Sequence, residues 1–150
     1  MNGNHIKRFR HTGIIVKDME ESVKFYQEIL GCKIAQDFTD DSDYINTVLG
    51  IKKANIRMVK MLTKDDIMIE LLEYVTHPTG IPDLPFYHTG ICHIAFEVKD
   101  IDKLYESLIS NRIEVISKPL LSSEGFAKVC FCVDPNGVRI ELVEILSQSN

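Results

Sequence analysis

Asp134-Pro135-Asn136-Gly137-Val138-Arg139-Ile140-Glu141-Leu142-Val143-Glu144-Ile145 is a tight turn followed by a strand. Proline fixes φ, asparagine tolerates the left-handed region and glycine accepts positive φ, so Asp-Pro-Asn-Gly reverses the chain. From Val138 onward strand formers alternate. Ile140, Leu142 and Glu144 share one face, and Arg139, Glu141 and Val143 share the other. A carboxylate in the middle of a strand is costly on a covered face unless a charge meets it. Something must therefore meet Glu141.

The pattern occurs twice. Ile67-Met68-Ile69-Glu70-Leu71-Leu72-Glu73 aligns with Val138-Arg139-Ile140-Glu141-Leu142-Val143-Glu144 at an offset of 71 (141 − 70), and Ile-Glu-Leu-x-Glu is identical in both. Nearer the start of each half, His11-x-x-x-x-Val16-Lys17-Asp18 matches His93-x-x-x-x-Val98-Lys99-Asp100 at an offset of 82 (93 − 11). Two copies at so long a period indicate duplication, not a solenoid.

Outward from these repeats, residues 9–16 read as a strand with His11, Gly13 and Ile15 on one face. Asp18 caps a helix, with Glu21 completing a capping-box arrangement. Its apolar stripe is Met19, Val23, Tyr26, Ile29 and Leu30, and Gly31 ends it. A short strand at 32–38, an acidic loop at 39–43, a helical turn at 44–49, a strand at 54–62, a hairpin turn at 63–66 and a strand at 67–75 complete the first half. Residues 76–89, with Pro78, Pro82 and Pro85, read as a linker. The second half begins with a strand at 91–98. A helix capped by Asp100 follows, with the stripe Ile101, Leu104, Tyr105, Leu108 and Ile109. Then come a short strand at 113–116, a loop at 118–125, a strand at 126–133 and the final hairpin strand. The expected class is α+β: two tandem βαβββ modules, about 9–75 and 91–146, joined by a linker at 76–90 within one domain spanning 1–150.

At 150 residues, 45% hydrophobic, the chain suits one compact domain or two small halves sharing a core. Its net charge of −5, without a basic cluster, argues against nucleic acid and anionic membranes as partners. No apolar run approaches the roughly 20 residues needed to span a bilayer. The N-terminus lacks the hydrophobic stretch of a signal peptide. Cys32, Cys92, Cys130 and Cys132 have no zinc-ribbon spacing and are expected as free buried thiols in a reducing, cytoplasmic setting.

The duplication pairs a histidine at the first strand of each half with a glutamate at the last: His11 with Glu70, and His93 with Glu141. Two imidazoles and two carboxylates suit Zn, Ni, Co, Fe or Mn. Halves meeting about a pseudo-twofold would bring them to one ion. That ion would compensate Glu141 and keep positions open for water or substrate. Taken singly, a strand histidine is more often a core or surface residue, and a strand glutamate usually lies on a solvated face. The weight comes from four such residues at equivalent points of a repeat. Glu97 lies on the His93 face at a strand end. Glu73 and Glu144 fall on the face opposite the four and are expected to be structural. Arg57 and Arg139 suit a substrate anion but are expected first as ion-pair partners, and Arg139, on the Glu141 face, has the better claim to substrate. His5, His77 and His88 lie in tails or loops, and Phe25 and Tyr26 in the core. No Walker, Rossmann or Gly-x-Ser-x-Gly pattern is present.

His11-Thr-Gly-Ile-Ile-Val-x-Asp18, Ser22-x-x-Phe25-Tyr26-x-x-x-Leu30-Gly31 and Asp134-Pro-Asn-Gly137-x-x-Ile140-Glu141-Leu142 together resemble the vicinal oxygen chelate superfamily. The resemblance covers about residues 9–146. It implies paired βαβββ modules forming a cupped mixed sheet around a divalent metal, with Zn, Ni and Co the best suited. The implied ligands fall on His11, Glu70, His93 and Glu141, the set of bacterial glyoxalase I. Methylmalonyl-CoA epimerases usually carry glutamine at the position of Glu70. Extradiol dioxygenases use two histidines and one glutamate, and bleomycin-type resistance proteins lack the metal set. The arginine and asparagine with which glyoxalase I proteins hold glutathione carboxylates have no clear match, and the acidic segment 40–53 differs. The implied activity is a metal-dependent lyase or isomerase of the glyoxalase I type. It shifts a proton next to a carbonyl through a metal-stabilised enediolate, with Glu141 as principal base and Glu70 as second ligand and partner base. An acyl-CoA epimerase and a small-molecule binding or resistance protein are the alternatives. The implied partners are a small-molecule substrate, a thiol adduct or acyl-CoA thioester, and a second copy in a homodimer.

Overall fold

The computed structural model describes residues 5–78 and 80–146. The beginning of the polar N-terminal segment and Thr79 of the expected linker lie outside the described residues. Between Gly80 and Ile81 the chain divides into two compact units.

The first unit runs β1 (Thr12–Val16), α1 (Met19–Lys24), a π-helical turn (Phe25–Ile29), β2 (Lys33–Asp40), α2 (Asp43–Leu49), β3 (Ile56–Leu62) and β4 (Met68–Tyr74). The second runs β5 (Ile94–Glu97), α3 (Ile101–Ser110), β6 (Leu120–Leu121), β7 (Ala127–Val133) and β8 (Arg139–Ile145). Each unit forms one four-stranded mixed sheet, in the orders β1-β4-β3-β2 and β5-β8-β7-β6. The first strand of each unit lies parallel to its last, and the remaining pairs are antiparallel. The α+β class and the βαβββ plan of each half are as the sequence predicts, with α2 added between β2 and β3.

The period-2 pattern decides which face is covered. In the first unit Ile14, Val16, Val59, Met61, Ile69 and Leu71 are buried, together with Met19, Phe25 and Tyr26 of the helix. In the second, Cys130, Cys132, Ile140 and Leu142 are buried, together with Ile101 and Leu108 of α3. Leu71 and Leu142 are equivalent and fully buried, and each such side chain stabilises the fold by about 1.5–3 kcal/mol. A second small cluster, Ile45, Ala54, Ile56 and Met58 with Ile51, Leu72 and Tyr74, forms where α2 covers one end of the first sheet's other face.

Glu73 and Glu144 prove structural, as expected. Glu73 Oε1 accepts from the Met19 amide at 3.1 Å, and Glu144 Oε2 accepts from the Ile101 amide at 2.9 Å. Each ties the last strand of its unit to the first turn of the helix, whose free N–H groups need acceptors. Asp18 and Asp100 add side-chain caps to the Glu21 and Lys103 amides at 2.9 and 3.0 Å. In the final hairpin Asp134 Oδ1 accepts from the Asn136 and Val138 amides at 2.8 and 2.7 Å, and Gly137 takes φ +83°.

Several expectations need correction. The first strand begins at Thr12, so residues 9–11 precede it. β2 extends through Thr39 and Asp40, which the sequence put in an acidic loop, because both pair with β3 opposite Arg57 and Ile56. The segment 113–116 makes only a single bridge, Val115 to Cys132. The strand that pairs with β7 is Leu120–Leu121, two residues in the expected loop and too short to leave a periodic signal. Ile109 is half exposed and off the α3 stripe. The helix after Asp18 widens at Phe25–Ile29, where the Leu30 amide reaches back to Phe25 O at 3.3 Å. Phe25 and Tyr26, consecutive and both buried, pack edge to face at 5.3 Å in this turn.

All four cysteines are free. Burial pushes the Cys32 thiol up to about 11 and Cys132 to about 12. Cys92 is only half buried, unlike the other three. Among the described residues no helix is long and apolar enough to cross a membrane.

Candidate metal centre

His11 and His93 each stand one residue before the first strand of their unit, not within it. In the parallel registers Gly13 pairs with Glu70 and Ala95 with Glu141. Each histidine is therefore two residues, one full pleat, upstream of its glutamate's partner and on the same face. The structure brings the predicted residues together as two pairs. His11 Nε2 lies 3.3 Å from Glu70 Oε2, and His93 Nε2 lies 3.1 Å from Glu141 Oε2. Both imidazoles are 33% exposed, while Glu70 is 13% and Glu141 24% exposed. The alternation that buries Leu71 and Leu142 against helices thus turns both pairs to the less covered face.

The surroundings of the pairs differ. Lys60, directly opposite Glu70 in the antiparallel register, has its Nζ 3.8 Å from Glu70 Oε1 and 5.2 Å from the Phe38 ring centroid. At the equivalent position opposite Glu141 stands Phe131, edge-on to His93 at 5.4 Å and to Phe86 at 5.2 Å. His93 Nδ1 has the Cys92 Sγ at 2.8 Å, whereas His11 Nδ1 is buried without a hydrogen-bond partner among the described residues.

The donor atoms fit a divalent ion. Two ligands about 2.0–2.1 Å from a zinc-sized ion at a tetrahedral angle stand about 3.3 Å apart, close to the separation in both pairs. Each pair offers one imidazole nitrogen and one carboxylate oxygen. Among the described residues no group of three or more His, Cys, Asp or Glu is placed to hold a metal ion.

Of the two arginines, Arg57 takes the ion-pair role expected of it, and Arg139 is held by a backbone carbonyl instead. Arg57 lies on the helix-covered face, bidentate to Glu20 at 2.7 and 2.9 Å and bonded to Asp37 at 2.9 and 3.1 Å. It is an ion-pair residue, and its hydrogen bonds hold the Asp37 carboxyl below its ordinary value. Arg139 donates to Leu84 O, lies 3.4 Å from His88 Nδ1 and stacks 4.8 Å from the Phe86 centroid. It holds the chain ahead of β5 in place instead of presenting a free guanidinium. His88, assigned no partner from sequence, also contacts Pro85 O and Ile91 O at 2.9 and 3.2 Å. Among the described residues His77 contacts its neighbour Thr76. Glu97 is exposed at the end of β5. Sequence reasoning missed Lys60, Phe131 and Cys92. The offset of 71 that matched the glutamates would have paired Lys60 with Phe131. A recess of about 300 Å³ in the first unit, lined by Val16, Lys17, Glu73, Tyr74, Val75 and Pro78, contains neither His11 nor Glu70.

Residues 8–142 match the family model of the Glyoxalase/Bleomycin resistance protein/Dioxygenase superfamily, and the chain belongs to that family, the vicinal oxygen chelate proteins. Glyoxalase I of Saccharomyces cerevisiae is 31% identical over 144 residues, which cover 89% of this chain and 43% of that one. A probable lactoylglutathione lyase of Synechocystis is 28% identical over 93% of this chain and 97% of its own. The chain spans less than half the length of the yeast protein and of a lactoylglutathione lyase of Arabidopsis thaliana. Among solved structures, a glyoxalase family protein from Bacillus cereus superposes with a TM-score of 0.88, at 25% identity, over 98% of this chain and 99% of that one.

Proposed function

We propose that the protein is a metal-dependent lyase or isomerase of the glyoxalase I type, shifting a proton between carbons next to a carbonyl. The observation that carries this reading is the recurrence of one His–Glu pair at equivalent points of a duplicated fold, at 3.3 and 3.1 Å. The similarity to proteins named glyoxalase I and lactoylglutathione lyase supports it. In this reading His11, Glu70, His93 and Glu141 hold one divalent ion, with Zn, Ni and Co the best suited. The ion, when bound, supplies Lewis-acid polarisation of two neighbouring substrate oxygens. His11 and His93 keep their Nε2 atoms on the ligand face. Glu141, whose carboxylate touches only His93 among the described residues, removes the proton and returns it to the adjacent carbon. Glu70, held between His11 and Lys60, is the fixed ligand and partner base. Phe131, edge-on to both His93 and Phe86, supplies an apolar wall beside the second pair. The protein works as a homodimer on a small thiol adduct or thioester, in the cytoplasm.

Metal analysis of wild type beside Glu141→Gln, followed by a methylglyoxal–glutathione assay on each metal-reconstituted form, tests this. One ion per His-Glu-His-Glu set, depleted in the variant, with thioester formed, is expected. Bound ion without turnover moves the assignment to an acyl-CoA epimerase, detected by solvent deuterium entering the α-carbon. No ion under any reconstitution rejects the metal centre. Light scattering gives the oligomeric state.

A further inference from the structure

Lys60 is a half-buried cation on the ligand face with unused hydrogen-bond donors. Its side chain is 20% exposed, and its ammonium is 3.8 Å from Glu70 Oε1, beyond hydrogen-bond distance. An ammonium carries three N–H donors. Among the described residues Lys60 Nζ has an ion-pair partner in Glu70 and a ring in Phe38, and no hydrogen-bond acceptor. The fold does not require a lysine here. The equivalent position, 71 residues on, is Phe131, which faces Glu141 in the same antiparallel register. An aromatic residue therefore satisfies the sheet at this point.

Charge decides what Lys60 is for. Withdrawing an ammonium from water is unfavourable unless an anion replaces the lost solvation. In the protein as described, Glu70 is that anion, although its other oxygen is directed at His11 Nε2. Once Glu70 is committed to a divalent ion, Lys60 is left short of negative charge. Its neighbours on the same face, Phe38, Met58 and Leu72, supply none. Arg57 and Arg139 are occupied by other groups, so neither competes for a ligand's charge.

We infer that Lys60 is a specificity-determining residue that takes an anionic oxygen of the substrate, carboxylate or phosphoryl, carried beside the oxygens that approach His11 and Glu70. The substrate class is then a thiol adduct or thioester that carries such an anionic group, with an apolar portion against the exposed Phe38 ring. This rests on the metal-centre reading of His11 and Glu70.

Calorimetric titration with malonate, inorganic phosphate and uncharged malonamide tests it. Two proteins are used: the Zn²⁺-loaded wild type, and Glu70→Gln, in which the competing carboxylate is removed without any ion. The expected result is that malonate or phosphate binds both proteins, the tighter of the two identifying the anion. Lys60→Met should weaken that binding about tenfold or more, Lys60→Arg should restore most of it, and malonamide should respond to neither change. Equal anion affinity with and without Lys60, or no anion binding by Glu70→Gln, overturns the inference. A wild type that takes up no Zn²⁺ overturns the metal-centre reading instead, and the Glu70→Gln arm still decides the role of Lys60.

Discussion

In the first half the residue facing the glutamate is Lys60; in the second, 71 positions later, it is Phe131. The histidines differ as well. His93 Nδ1 meets a thiol, and His11 Nδ1 meets nothing among the described residues. Much of what builds the backbone is repeated: the parallel pairing of first and last strands, the buried leucine, the glutamate that caps the helix, the aspartate at the N-cap. The duplication has kept the residues that make the fold and the four donor residues, and has diverged in what touches the donors. Two carboxylates in equivalent positions thereby acquire different freedom. Among the described residues Glu70 is held from two sides, and Glu141 from one.

The most severe test of this contrast is the pair Glu141→Gln and Glu70→Gln. Turnover in the methylglyoxal–glutathione assay should fall about a thousandfold for Glu141→Gln and about tenfold to a hundredfold for Glu70→Gln. Equal losses would erase the functional difference between the halves. The shared part of the plan predicts equality instead. Leu71→Ala and Leu142→Ala, both at fully buried and equivalent positions, should each cost about 2–5 kcal/mol in urea unfolding. A large disparity would mean that the two cores are not packed alike. Smaller again is the effect of the strand-to-helix ties. Glu73→Ala and Glu144→Ala should each cost about 1 kcal/mol, and Glu73→Gln and Glu144→Gln less, because glutamine still accepts from the amide.

A separate effect is with pH. Burial raises the Cys32 thiol to about 11 and the Cys132 thiol to about 12, from an ordinary 9.0. Below pH 9 both thiols are protonated in folded and unfolded chains, and stability does not depend on them. Above it the unfolded chain loses protons that the folded chain keeps, so stability falls as pH rises. The decline attributable to Cys32 should level off near pH 11, and that attributable to Cys132 near pH 12. Cys132→Ala should flatten the upper part of the curve and Cys32→Ala the lower part, as read from denaturant midpoints at successive pH values.

Much of this was legible in the residues. Period-2 alternation fixed the faces of β4 and β8, because one face must meet a helix and tolerates few polar groups. Repetition of His and Glu at matching places marked the two His–Glu pairs, since chance seldom repeats a costly carboxylate in the same strand position. Asp18 and Asp100 announced the two helices by their capping chemistry. The π-helical turn was not legible, because one amide reaching a residue further back leaves no mark in the pattern of residue types. Nor was Leu120–Leu121, whose strand character comes from its partner in β7.

The sequence by itself determined the duplicated α+β plan, the two recurring His–Glu pairs and the face on which each of these residues lies. These follow from periodicity and repetition, which act along the chain. Tertiary structure alone decided that Arg57 is bound to Glu20 and Asp37, that Arg139 is held by Leu84 and Phe86, and that Lys60 is opposite Glu70 with donors to spare. Those assignments depend on strand register and on segments distant in the chain, and a side chain's chemical role is set by the neighbours that folding brings to it.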